Sequence, residues 1–303
     1  MTDPASTSAA TSTQTATDLS SFKTFGVIGA GQMGLGIAQV AAQTGFAVVV
    51  LDATLELAQK GHAGLGKSLG KLVEKGKIDG VARDAILAAI KPTATYADFA
   101  DCDIVVEAAT ERFDLKVKIL EQADAAMKAD AILASNTSSI SITKLAAATK
   151  RPTRVAGMHF MNPVPLMKLC EIVKGLQSSN ETISQVTALA HKLGKTTILA
   201  NDAPGFLVNR VLIPLINEAC FTLQEGVGRA EDIDTGAKLG LNHPMGPLEL
   251  ADLIGLDTCL AIAEVLHREL GDDKYRPATI LRNHVAAGWL GRKSGRGFYS
   301  YGK

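Results

Sequence analysis

No run of about 18 consecutive apolar residues occurs in the chain, so no segment is expected to cross a membrane as a helix. Neither charge is in surplus, with 31 Lys and Arg against 31 Asp and Glu. A balanced chain lacks the basic field that nucleic acid or an anionic membrane selects, and neither is expected as a partner. Cysteine is scarce: Cys102, Cys170, Cys220 and Cys259 stand far apart and form no C-x-x-C pair. That argues against a disulfide framework or a thiolate metal site and fits reduced thiols in a cytoplasmic protein; no metal is expected. Arg and any apolar stretch are missing from the first twenty residues, which are rich in Ser, Thr and Ala. Residues 1–20 therefore read as a disordered tail rather than a signal or transit peptide. No internal repeat is found.

What is present is an ordinary globular composition, and 303 residues leave room for two domains with a sizeable core. Continuous apolar runs at 24–29 and 47–51 suit strands buried on both faces of a parallel sheet. Further strands are expected at 104–106, 131–134, 155–158, 169–173 and 196–199, with helices at 31–43, 54–75 and 112–127. This alternation predicts an α/β fold, an N-terminal doubly wound Rossmann-type parallel sheet over residues 21–203. After Asn201-Asp202-Ala203-Pro204-Gly205 almost no strand signal remains. Helices are expected at 206–225, 230–239, 247–270 and 278–287, giving an all-α domain over 204–303. The cleft between two such domains is a common place for a ligand.

Gly29-Ala30-Gly31-Gln32-Met33-Gly34 is G-x-G-x-x-G between a predicted strand and a predicted helix. A second strand follows, ending in Asp52 about 20 residues further on, the spacing of a dinucleotide site. Gly29, Gly31 and Gly34 serve a tight turn, backbone approach to pyrophosphate and close helix–strand packing, while Gln32 and Met33 open the helix N-terminus. Asp52 is expected to accept from the ribose hydroxyls. Ala53 follows it and no Arg is near to hold a 2′-phosphate, which favours NAD over NADP. The plainer alternative is a tight turn with Asp52 capping the next helix.

The stretch MHFMNPVPLMKLCEIV at 158–173 sets two prolines, His159 and Glu171 where a buried strand should be purely apolar. His159 follows a predicted strand, near the carboxyl ends where open α/β sheets bind ligands, and histidine is the side-chain type best suited to exchange protons at physiological pH. The Pro-Val-Pro turn can fold the chain back and bring Glu171 to the imidazole. A histidine so partnered, in a dinucleotide domain, is a candidate proton carrier.

Ser135-Asn136-Thr137-Ser138-Ser139, His159-Phe160-Met161-Asn162-Pro163-Val164-Pro165, Lys168-Leu169-Cys170-Glu171 and Asp202-Ala203-Pro204-Gly205-Phe206-Leu207-Val208-Asn209-Arg210 are separated segments that follow in this order. Together they resemble the L-3-hydroxyacyl-CoA dehydrogenases, and within that family the bacterial 3-hydroxybutyryl-CoA enzymes. The likeness runs from about residue 22 to the end, through His243-Pro244-Met245-Gly246-Pro247 and Gly295-Arg296-Gly297-Phe298-Tyr299. It implies His159 as general base, Glu171 as its orienting partner, Ser138 as hydrogen-bonding the reacting oxygen and Asn209 as a substrate contact from across the cleft. It also implies Glu111, Lys116, Asn162 and Lys293 on the nicotinamide side of the cofactor. The plainer alternative for Lys116 and Lys293 is solvated surface. Ser68 and Lys75 match positions that contact coenzyme A, on a helix face where Lys67, Lys71 and Lys75 recur every fourth residue. Met161 stands where many relatives carry a second Phe, a difference of packing only.

The expectation is thus an NAD-dependent interconversion of a (3S)-3-hydroxyacyl-CoA, best a short one such as 3-hydroxybutyryl-CoA, with its 3-oxoacyl-CoA. The resemblance further implies a homodimer formed through the helical domain and a place in fatty acid or butanoate metabolism. The rival readings are a dehydrogenase of a free sugar acid such as gulonate and a non-catalytic NAD-binding structural protein.

Overall fold

A computed structural model describes residues 17–302. The first half alternates strands and helices: β1 (Thr24–Ile28), α1 (Gln32–Gln43), β2 (Ala47–Leu51), α2 (Leu55–Glu74), α3 (Gly80–Ala88), β3 (Ile90–Thr93), β4 (Ile104–Glu107), α4 (Phe113–Ala126) and β5 (Ile132–Ser135). Then come α5 (Ile142–Ala147), β6 (Val155–Phe160), β7 (Leu169–Lys174), α6 (Asn180–Lys192) and β8 (Thr196–Asn201). Only helices of any length follow: α7 (Val208–Gln224), α8 (Ala230–Gly240), α9 (Pro247–Ile254), α10 (Leu256–Leu270) and α11 (Thr279–Ala286).

The strands form one eight-stranded sheet in the order β3-β2-β1-β4-β5-β6-β7-β8. The chain leaves β1 in both directions, toward β2 and later toward β4, so a crevice opens at the carboxyl ends of β1 and β4. Strands such as Ala47-Val48-Val49-Val50-Leu51 bury side chains on both faces, because helices cover both. Ile37, Leu69, Ile86 and Val186 from α1, α2, α3 and α6 pack one face; Leu120, Leu145 and Ala146 from α4 and α5 pack the other. A separate core, including Ile216, Leu248, Cys259 and Leu266, holds the helices after Gly205 together.

The doubly wound sheet and the helical second half match the sequence expectation, with four differences. The sheet is not wholly parallel, since β6 and β7 run antiparallel. β3 and α3 have no counterpart in the expected elements; β3 carries Pro92, which an edge strand tolerates. The helix expected over 247–270 breaks at Gly255, whose φ of +105° lies where a side chain is strained and whose Cβ would sit 3.0 Å from Lys293 Nζ. Of the expected tail, residues 1–16 lie outside the described residues, but Leu19 packs against the sheet core. No helix among the described residues is long and apolar enough to cross a membrane.

Candidate active site

The glycine turn follows β1 and has a separate reason at each glycine. Gly29 has a φ of +104°, and a Cβ there would meet the Ala108 carbonyl oxygen at 2.8 Å. A Cβ on Gly34 would fall 1.8 Å from the Gly29 carbonyl oxygen, so only glycine lets α1 sit this close to β1. Gly31 faces open space and caps α1 without a side chain, which leaves the N–H groups of Gln32, Met33 and Gly34 bare for an anion. Asp52 closes this turn: one carboxylate oxygen accepts from Ala30 N–H and the other from Ala53 N–H, each at 2.7 Å. Each oxygen keeps acceptor capacity for a ribose hydroxyl. Helix α2 is capped by Thr54, which accepts from Leu57 N–H, so Asp52 is not that helix's cap. Open backbone, bare donors and a carboxylate at the strand end fit a dinucleotide.

The antiparallel pairing of β6 and β7 sets His159 directly opposite Glu171. His159 Nδ1 lies 2.9 Å from Glu171 Oε2. A carboxylate can only accept here, so Nδ1 carries the proton and Nε2 is the ring nitrogen left for a substrate. Glu171 is fully buried, and its Oε1 accepts from the N–H groups of Leu207 at 2.6 Å and Val208 at 3.2 Å, where α7 begins. The helix N-terminus therefore helps to hold the buried charge. Phe206, at a φ of +48°, packs its ring in a T-shaped arrangement with the imidazole, centroids 6.1 Å apart.

Ser138 lies on the loop after β5. Its N–H and hydroxyl both donate to Glu111 Oε1, at 2.6 and 2.8 Å, and Thr137 Oγ1 donates to the other oxygen at 2.9 Å. Asn209, buried on α7, reaches from the helical half to donate its amide to the Ser138 carbonyl at 3.2 Å. Beside this loop a cleft of about 580 Å³ lies between Glu111, Ser139 and Ile140 on the sheet side and Val265, Arg268 and Glu269 on α10.

The remaining expected residues divide. Lys116 is 1% exposed and ion-paired with Glu107, which overturns the solvated-surface alternative for it. Lys293 keeps that surface character: its side chain is half exposed and pairs with Asp257, sharing no bond with the cofactor-side residues. Asn162 is exposed on the 161–168 loop and likewise has no bond to them. Ser68, Lys67, Lys71 and Lys75 are exposed along α2, away from His159 in the hydrogen-bond network, with Ser68 Oγ donating to the Gly64 carbonyl at 3.1 Å.

Sequence reasoning missed four residues. Asn136 accepts from Phe160 N–H at 2.9 Å and ties the Ser138 loop to the strand bearing His159. Buried Lys195 donates to the Val164 and Met167 carbonyls and fixes the 161–168 loop, its ammonium pKa lowered by burial. Glu107 and Ser135 form a buried polar cluster with Lys116. For Glu107 a signal existed, the same one that marked Glu171: an ionisable residue closing an apolar strand. Asn136, Ser135 and Lys195 carry none, because their partners are fixed only by the fold.

Residues 24–203 match the profile of the 3-hydroxyacyl-CoA dehydrogenase NAD binding domain, and residues 205–301 match that of the 3-hydroxyacyl-CoA dehydrogenase C-terminal domain. A probable 3-hydroxybutyryl-CoA dehydrogenase of Deinococcus radiodurans is 59% identical over 277 residues, covering 91% of this chain and 99% of that protein. The 3-hydroxybutyryl-CoA dehydrogenase of Bradyrhizobium diazoefficiens is 52% identical over 279 residues, covering 92% and 95%. A crystal structure of (S)-3-hydroxybutyryl-CoA dehydrogenase from Ralstonia eutropha superposes with a TM-score of 0.89 at 54% identity, over 93% of this chain and 100% of that one.

Proposed function

The chain belongs to the 3-hydroxyacyl-CoA dehydrogenase family, and from that membership we propose how its residues carry the reaction. The activity is NAD-dependent interconversion of a (3S)-3-hydroxyacyl-CoA, with 3-hydroxybutyryl-CoA the substrate its relatives are named for, and the 3-oxoacyl-CoA. NAD, when bound, supplies the hydride acceptor.

His159 Nε2 takes the proton of the 3-hydroxyl as hydride leaves C3, and returns it in the reverse direction. Glu171 keeps the imidazole in the tautomer that frees Nε2 and offsets the positive charge that develops on it. Ser138 turns its hydroxyl from Glu111 to the reacting oxygen. Asn209 holds the Ser138 loop and meets the substrate from the helical side. Gly29, Gly31, Gly34, Gln32, Met33 and Asp52 receive the dinucleotide, with Glu111, Lys116, Asn162 and Lys293 toward its nicotinamide end. Ser68 and Lys75, in the lysine stripe of α2, receive the phosphates of coenzyme A.

We also assign the protein to the cytoplasm as a homodimer formed through the helical half, where Val211 and Leu239 expose apolar surface. The observation that carries the catalytic reading is the buried His159–Glu171 pair at the carboxyl edge of the sheet. The test is NADH oxidation by acetoacetyl-CoA, with NADPH and His159→Ala in parallel. General acid–base help is worth about 10²–10⁴-fold, and kcat of the variant is expected to fall by that factor. A variant that keeps parental kcat removes His159 from the mechanism.

A further inference from the structure

Glu107 takes no part in the steps above, yet it closes β4 as a fully buried carboxylate at the crevice. Such a charge is tolerated only when paired and hydrogen-bonded. Its Oε1 accepts from Ala109 N–H at 2.8 Å, and its Oε2 accepts from Ser135 Oγ at 3.0 Å and from the Lys116 ammonium. Lys116 Nζ is also 3.4 Å from Ser135 Oγ and 3.7 Å from Glu111 Oε2. Glu111 in turn holds Thr137 and Ser138, and Ser135 Oγ accepts from Thr137 N–H at 3.3 Å.

Two routes therefore join one buried carboxylate to the peptide that carries Ser138. One runs through Ser135, the other through Lys116 and Glu111. A single ammonium is shared by two carboxylates, so the charge on Glu107 decides how strongly Lys116 draws on Glu111. We propose that Glu107 is a positioning residue for hydride transfer: it anchors Lys116 away from full contact with Glu111 and thereby sets where Ser138 meets the reacting oxygen. Without that charge, Lys116 has Glu111 as its one carboxylate and pulls it from Thr137 and Ser138. The proposal deepens the reading of Ser138 given above and rests on it.

The test compares Glu107→Gln, Glu107→Asp and His159→Ala with the parent enzyme, rates being normalised to NADH-binding sites counted by fluorescence titration. A misplacement of about 1 Å at a reacting group costs on the order of 10²-fold, and kcat of Glu107→Gln is expected to fall by about 10–10²-fold. The KM for acetoacetyl-CoA stays within about twofold, so that kcat and kcat/KM fall together, as for an interaction made in the transition state. A purely structural Glu107 would lower the melting temperature and leave kcat per binding site within about twofold of the parent, and that result overturns the proposal. Should Glu107→Gln not fold, Glu107→Asp, which keeps the charge and shortens its reach, is judged by the same criteria. Parental turnover in His159→Ala would remove the underlying reading; its collapse beside a full-rate Glu107→Gln would overturn the positioning role alone.

Discussion

At the scale of single residues, buried charge marks the site. Glu171 keeps its charge in a dry place because three donors converge on it, the imidazole and two N–H groups at the start of α7. A Glu171→Gln variant retains the shape and loses the charge. Correct tautomer and imidazolium stabilisation are then both weakened, and kcat is expected to fall on the order of 10²-fold or more. The two N–H bonds weaken as well, at a stability cost of about 1–3 kcal/mol measurable by urea denaturation. His159 and Glu171 stood out in the sequence because ionisable groups in an apolar stretch cost free energy unless they are paired. Lys116 was legible only through resemblance, since nothing in its own neighbourhood says that a lysine on α4 points inward to Glu107.

Among the elements, β1, the glycine turn and α1 pack closely, and the glycines of this unit fail in different ways. In Gly34→Ala the new methyl overlaps the Gly29 carbonyl, so α1 must move off β1. Such overpacking costs about 1–3 kcal/mol, and both melting temperature and NADH affinity are expected to drop. In Gly31→Ala the methyl meets open space, so the melting temperature should hold while NADH affinity falls, because the methyl stands where the pyrophosphate approaches the backbone. Calorimetry together with fluorescence titration separates the two; equal melting temperatures would contradict the packing argument. The sequence pattern predicted this unit well because its period and turn residues are local. It predicted β3 poorly, because the short edge strand Ile-Lys-Pro-Thr has little apolar signal and exists through its pairing with β2.

For the molecule as a whole, the two packed halves leave all four cysteines inside. Burial pushes the thiols of Cys102 and Cys259 up to about 12 and raises those of Cys170 and Cys220 further. Because the thiolate is the reactive form, raised values keep these groups protonated and inert until pH climbs far above neutrality. Native protein at pH 8 is therefore expected to react with no equivalent of a thiol reagent and to titrate four after denaturation. Fast reaction of one thiol in the native state would show an opening of the core.

The sequence by itself determined the layout: apolar runs too continuous for a one-faced strand, a glycine turn at the first of them, and a change to helices after Gly205. These signals are local, set by backbone freedom and by which side chains water rejects. Tertiary structure alone decided which distant groups meet. The start of α7 came to grip the Glu171 carboxylate that the Pro-Val-Pro return sets on His159, and Glu107, Lys116 and Ser135 closed into one buried cluster beside the half-exposed Glu111. A carboxylate is tolerated out of water only where donors from several elements converge, and that convergence exists only once the sheet and the helices have packed.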